Sequence, residues 1–220
     1  MRKAIAITTG IFLGLMLGCS GAPSAKQSAS AAPATQAATS KAAPTDARHV
    51  VYILDCSGSM IPVFDQAKSE ILSSIDALPE GKSFSIVLMR LKPAPGDHFT
   101  GIHFTGMTAK ARVAEKALIE FLNEVVAEDK TDPLPALDAA FDLLSSQTDS
   151  EGKKIIVITD GVFPDNKLVE NLLRQRNKRG QVSLDVWCIG PKEWLEQANR
   201  FLRGMAQANG GVLRLIEEHE

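Results

Sequence analysis

Residues 50–60 read VVYILDCSGSM. Val50 to Leu54 form an unbroken apolar run that stops at one acid, Asp55, and passes at once into small residues and two serines. A short, β-branched apolar run bounded by turn residues is the pattern of a strand buried on both faces, as in a parallel sheet. Such a strand delivers Asp55, Ser57 and Ser59 to a single turn. Alternation along the extended chain places both hydroxyls on the side of Asp55.

Outward from this stretch the pattern alternates. Residues 49–54 and 155–159 are the purest strand segments, and 83–91, 182–189 and 212–216 read similarly. Between them apolar residues recur at helical spacing: Phe64, Ala67, Ile71, Ile75 and Leu78, then Val113, Ala117, Phe121 and Val125 with Leu118 and Leu122. Leu134, Leu137, Phe141 and Leu144 form a third stripe, and Trp194, Ala198, Phe201 and Met205 a fourth. All four are read as core-facing. Asp132-Pro133 has the form of an N-cap followed by proline at the first helical position, and Pro62 is read in the same role after the opening motif. The basic cluster Arg174, Arg176, Lys178 and Arg179 before Gly180 fits a helix C-terminus, where cations meet the dipole. Strand–helix alternation predicts an α/β fold: a doubly wound, mostly parallel sheet with helices on both faces. Segment 92–107 lacks a helical pattern and is expected to supply one antiparallel edge strand.

In open α/β sheets ligands sit beyond the carboxyl ends of the strands, where strand order reverses. The first strand ends at Asp55 and the IIVIT strand ends at Asp160-Gly161. If these strands are neighbours, two carboxylates face one crevice, joined by Ser57 and Ser59. Carboxylate and hydroxyl oxygens are hard donors that suit Mg²⁺, Mn²⁺ or Ca²⁺ rather than zinc or copper. Two anions barely neutralise a divalent cation, so it can accept another oxygen from outside.

DCSGSM, at residues 55–60, resembles the DxSxS motif of von Willebrand factor A domains, in the DxSGSM form common in bacteria. ITDG, at 158–161, resembles that family's second carboxylate turn, and Thr131 in KTDP resembles its metal-binding threonine. The resemblance covers residues 48–220, with the motifs in the family's order. It implies a metal-ion-dependent adhesion site. In such a site Ser57, Ser59 and Thr131 offer hydroxyls, Asp55 and Asp160 act directly or through water, and an Asp or Glu carboxylate of a protein partner completes the shell. Where family members often carry glycines before the threonine, Glu128, Asp129 and Lys130 stand here. The implied function is metal-dependent protein binding, not catalysis. The alternative within the same fold is an assembly module with a structural metal and another binding surface.

Enzymatic readings fit less well. Strands ending in Asp also suggest a phosphatase of the haloacid dehalogenase type, but Ser57 stands where the acid catalyst would be and cannot usefully protonate a leaving group. CSGSM is not G-x-S-x-G. The absence of a glycine-rich phosphate loop removes support for nucleotide binding, and a net charge of −2 removes it for nucleic acid. His49, His98, His103 and His219 are scattered and read as surface residues.

The chain of 220 residues, 45% of them hydrophobic, has room for one globular domain behind a distinct N-terminus. Arg2 and Lys3 precede a mostly apolar run to Leu17, then Gly18-Cys19, the layout of an export signal. MLGC, ending at Cys19, resembles the lipobox of bacterial lipoproteins, with Met16 where leucine is usual. That resemblance implies cleavage before Cys19, a lipid on its thiol, and a membrane-anchored envelope protein. Ser20 resembles the pattern that sends such proteins to the outer membrane. Residues 19–47 are rich in Ala, Ser, Thr and Pro, carry no large apolar side chain and are expected to form a disordered tether spanning about 30 Å. The expected organisation is therefore a signal at 1–18, a tether at 19–47 and one domain at 48–220. Cys56 and Cys188 are expected near the carboxyl ends of strands separated by a third strand, about 10 Å apart. That exceeds disulfide reach, so two buried free thiols are predicted.

Overall fold

The structure is a computed structural model that describes residues 47–91, 94–106, 108–128, 130–146, 152–161 and 163–218. Every described residue belongs to the unit Ala37–Glu220. The expected export signal, Cys19, the expected tether up to residue 46 and His219 lie outside the described residues.

Six strands form one sheet in the order β3-β2-β1-β4-β5-β6. They are β1 His49–Asp55, β2 Ser83–Met89, β3 His98–Ile102, β4 Lys153–Thr159, β5 Val182–Gly190 and β6 Leu213–Glu217. All pairings are parallel except β2 with β3, so the expected antiparallel edge strand is present in the 92–107 segment. The helices are α1 Phe64–Asp76, α2 Ala109–Glu124, α3 Pro133–Ser145, α4 Asn166–Arg176 and α5 Lys192–Ala208.

Both faces of the sheet are covered, which is why β1 is buried along its whole length. Val50, Tyr52 and Leu54 pack with Phe64, Ile71 and Ile75 of α1 and Leu118 and Leu122 of α2. Val51 and Ile53 pack on the opposite face with Leu137 and Phe141 of α3, Val169 and Leu173 of α4, and Leu202 and Met205 of α5. The period of two in a central strand thus serves two separate cores, and no position on β1 is left for a solvated side chain.

Several local expectations need correction. In α2 the buried residues are Ala111, Leu118 and Leu122, with Val113 left 70% exposed. In α5 Leu195, Leu202, Met205 and Ala206 are buried, and Trp194 lies on the open side. Both helices carry adjacent apolar lines, and the sheet takes residues from each: Phe121 and Val125, and Ala198, Phe201 and Met205, of the expected lines also pack on the cores, while Val113 and Trp194 do not. Pro62 does not open α1. It sits inside a 3₁₀ helix, Gly58–Val63, and α1 starts at Phe64. Asp132 does cap α3, accepting from the Leu134 N–H at 3.1 Å with Pro133 in the first turn. The basic end of α4 is occupied structurally: Arg176 pairs with Asp138 and Asp142 of α3.

Two histidines read as surface residues are buried. His49 is 3% exposed, with Nδ1 2.6 Å from Ser83 Oγ and Nε2 3.0 Å from Ser85 Oγ. Ser85 Oγ lies 2.9 Å from Thr100 Oγ1, so one polar chain crosses β1, β2 and β3. Burial holds the His49 pKa below its ordinary value. His103 is also buried, whereas His98 is exposed.

Candidate metal centre

β1 and β4 are neighbours, and the sheet order reverses between them. Leu54 pairs with Ile158, so the next positions, Asp55 and Thr159, lie side by side, with Asp160 one residue further on. Two carboxylates therefore meet at one end of two parallel strands. Asp55 is wholly buried and Asp160 is 2% exposed.

Each Asp55 oxygen is held by a donor. The Ser57 N–H donates to Oδ1 at 3.0 Å, and the Thr159 hydroxyl donates to Oδ2 at 2.7 Å. Thr159 Oγ1 in turn accepts from the Gly161 N–H at 3.1 Å, which couples the two strand ends through one hydroxyl. Thr159 was not singled out in the sequence. Its position just before Asp160 was visible there, but its role depends on the β1–β4 register. Ser57 Oγ and Ser59 Oγ are 3.1 Å apart, so the turn converges two hydroxyls as the spacing predicts. Ser57 is buried and Ser59 exposed, so the hydroxyl pair runs from interior to solvent.

Thr131 belongs to the loop between α2 and α3, immediately before the Asp132 cap, and is half-buried. That loop is fastened to the first motif. The Glu128 N–H donates to the Cys56 carbonyl at 3.1 Å, while the Cys56 N–H donates to Met89 O, also at 3.1 Å. The three motif segments therefore meet at the same end of the sheet.

Burial pushes the Asp55 pKa up to about 6, and the nearby Asp160 charge adds to the rise. The hydrogen bonds from Thr159 and Ser57 oppose it. Two crowded carboxylates in a desolvated crevice are an electrostatic cost that a cation would relieve. Among the described residues no cluster of three or more His, Cys, Asp or Glu is found. The oxygen set here is two carboxylates plus hydroxyls, which fits a hard divalent cation and offers no thiolate or imidazole for zinc or copper.

The cysteines beside the site are not part of its donor set. Cys56 and Cys188 are buried free thiols on β1 and β5 flanks, with β4 between them, as predicted. Burial pushes both thiols up to about 12. Cys188 Sγ donates to the Asp160 carbonyl at 3.4 Å, supporting the second turn. Gly161 has φ of 98°, and a Cβ there would stand 2.4 Å from Ala198 Cβ of α5. Only glycine turns the chain at this point and lets α5 approach the turn that carries Asp160.

A scan against protein-family models matches the von Willebrand factor type A domain over residues 50–162. A search of curated proteins finds no match. Among solved structures, the von Willebrand factor type A protein from Catenulispora acidiphila aligns with a TM-score of 0.55 and 24% identity. The alignment covers 77% of this chain and 38% of that one, so this chain spans well under half of that relative. BatB, a conserved hypothetical protein from Bacteroides thetaiotaomicron, aligns at a TM-score of 0.58 and 18% identity, covering 78% and 91%. The SpRpn10 VWA domain gives 0.52 and 13%, covering 78% and 88%. At these identities the structural likeness speaks for the fold. The matched family segment begins in β1 and ends just after Asp160-Gly161, taking in all three motifs. The chain belongs to the von Willebrand factor type A domain family.

Proposed function

We propose that this domain binds a protein partner through a divalent cation held at the β1–β4 crevice. Asp55, Ser57, Ser59, Thr131 and Asp160 would hold the ion, with Mg²⁺ as the first choice and Mn²⁺ or Ca²⁺ as substitutes. The ion supplies an electrophilic position for an Asp or Glu carboxylate of the partner. The observation that carries the reading is the meeting of two buried carboxylates on neighbouring strands with a pair of serine hydroxyls opening to solvent.

The chain's own residues divide the work. Thr159 and the Ser57 N–H orient Asp55, so its carboxylate is fixed before any ion arrives. The Glu128–Cys56 backbone bond keeps the Thr131 loop against the first motif. Binding rather than catalysis is the reading we adopt. We also propose that Cys19 carries a lipid and that the domain works at the bacterial envelope, tethered to a membrane. Labelling with a palmitate analogue should mark the wild-type chain and spare Cys19→Ala; labelling of both would remove the anchor.

The binding test is a pull-down from an envelope extract with residues 37–220 as bait, in Mg²⁺ or EDTA, and with Asp55→Ala as control. A partner lost with EDTA and with the variant supports metal-bridged recognition. A partner indifferent to both places the binding surface elsewhere and leaves the ion, if bound, a structural role.

A further inference from the structure

A groove of about 390 Å³ is lined by α1, α2 and the start of β2. It is separate from the metal crevice. Its Phe84 is the second residue of β2, whereas Met89, at the far end of that strand, pairs with Asp55. The end of α1 contributes Leu72, Ile75 and Asp76, and α2 contributes Ala111, Ala114, Glu115, Leu118 and Ile119. The sequence explains the hollow: α2 opens with alanines on this side, and its first large buried side chain is Leu118. The frame is already fixed. The Phe84, Phe99 and Phe121 rings lie in a row, with centroids 6.1 and 5.4 Å apart. The His103 N–H donates to Lys82 O at 2.8 Å, and the Gly81 N–H donates to His103 O at 2.9 Å. Thr105 donates its N–H and its hydroxyl to Glu80.

The lining joins apolar walls to charge of one sign. Ile102 and Ile119, both lining residues, are left 47% and 39% exposed. Asp76 and Glu115 stand one on each helix, both exposed, and no lysine or arginine is among the described lining residues. Neither carboxylate is in an ion pair among the described residues, and Lys116, beside Glu115, pairs with Glu120 at 3.5 Å instead. His103 is a buried polar residue of the lining, 9% exposed, and its Nε2 has no hydrogen-bond partner. A cleft with low-dielectric walls and one sign of charge concentrates the opposite charge. Sites for small molecules have volumes of about 300–1,000 Å³, mostly apolar walls and a few polar groups.

We infer that this groove is a second ligand site, one for a small organic cation with an ammonium head on an apolar body. The head answers Asp76 and Glu115; the body covers Leu72, Phe84 and Ile119 and removes their apolar surface from water. An ammonium carries donors only, which suits carboxylates and an imidazole nitrogen that is free to accept. An anion would meet two like charges. A bare metal ion would leave the apolar walls unused, and no cluster of three or more His, Cys, Asp or Glu is found among the described residues. The site needs no ion at the β1–β4 crevice.

The experiment uses residues 37–220, the unit that holds every described residue, with octylammonium, 1-octanol and octanoate as probes. All are kept below micelle-forming concentrations at pH 7, where an alkylammonium is protonated as a lysine is. Calorimetry should show one octylammonium per chain. It should bind at least about fivefold tighter than octanol, the gain expected of two exposed ion pairs, and octanoate should bind more weakly than either. Mg²⁺ should leave this affinity unchanged. Asp76→Asn with Glu115→Gln should bring octylammonium down to the octanol level, and Ala114→Phe, which fills the hollow, should abolish binding of both. None of these side chains belongs to the buried core, so thermal midpoints should hold. Equal affinity of the wild type for octylammonium and octanol overturns the inference. So does octylammonium binding that survives in both variants, or no octylammonium binding at all. A leucine-flanked lysine peptide that binds where octylammonium does not would make a protein segment the occupant. A dimer that dissociates in Asp76→Asn with Glu115→Gln would make it a second copy of the chain. Either result replaces the small cation and overturns the inference.

Discussion

At the scale of single residues, Asp55 concentrates the chemistry. Its pKa in the folded, metal-free domain is about 6 against an ordinary value of 3.8. The protonated form is favoured by folding, so this group's contribution to stability is present below the unfolded value. It is lost as pH rises through the folded one. The metal-free domain should therefore lose up to roughly 3 kcal/mol from this group between pH 4 and pH 7. Asp55→Asn should remove that loss, and in EDTA at pH 7 it should melt higher than wild type. Thermal unfolding in EDTA across this range checks both; a variant that melts lower at pH 7 would show that the carboxylate is needed for the fold itself. Asp55 was legible in the sequence because an apolar strand ended on it. Thr159 was not, because its hydroxyl matters only through the register of two strands about a hundred residues apart.

At the scale of elements, the strands were readable and the helix faces less so. Buried parallel strands announce themselves as continuous apolar runs, and the five parallel strands appear where expected within a few residues, with the antiparallel edge strand inside segment 92–107. In α2 and α5 apolar residues occupy adjacent lines, and the choice between them belongs to the packing partner, which a periodicity cannot name. The buried His49 was missed for a similar reason: its partners Ser83 and Ser85 sit on another strand. Burial lowers its folded pKa below 6.5, so the neutral form is favoured. That stability is fully present above pH 6.5 and is lost as pH falls, opposite in sign to Asp55. In the Asp55→Asn background, acidification from pH 7 to pH 5 should therefore lower the melting temperature, and His49→Gln should flatten the dependence. A flat profile with His49 intact would contradict a neutral histidine in this network. The turn after β4 gives a second test. Gly161→Ala combines a left-handed φ with a Cβ driven into Ala198, so it should destabilise by about 2 kcal/mol or more. Denaturant unfolding measures this, and a loss under about 0.5 kcal/mol would mean that α5 is free to move away.

At the scale of the whole molecule, the domain is a two-sided α/β sheet whose crossing point gathers segments from three distant parts of the chain. Strand order explains how: β1 and β4 become neighbours because the chain leaves β1 toward one edge of the sheet and returns to lie on its other side. The same order separates Cys56 from Cys188 and brings Asp55 to Asp160. Composition and motif spacing were enough to infer this architecture. They do not show which apolar side chains stay exposed, because exposure of Ile61 or Leu168 depends on what packs nearby. The most direct test of the central claim is a calorimetric titration of Mg²⁺, and of Mn²⁺ in parallel, into residues 37–220, wild type and with Asp55→Ala or Ser57→Ala with Ser59→Ala. One ion per chain in wild type, with uptake lost in both variants while circular dichroism stays unchanged, is the expected result. No uptake by the wild type, or uptake that survives in the variants, would contradict a metal centre at the β1–β4 crevice.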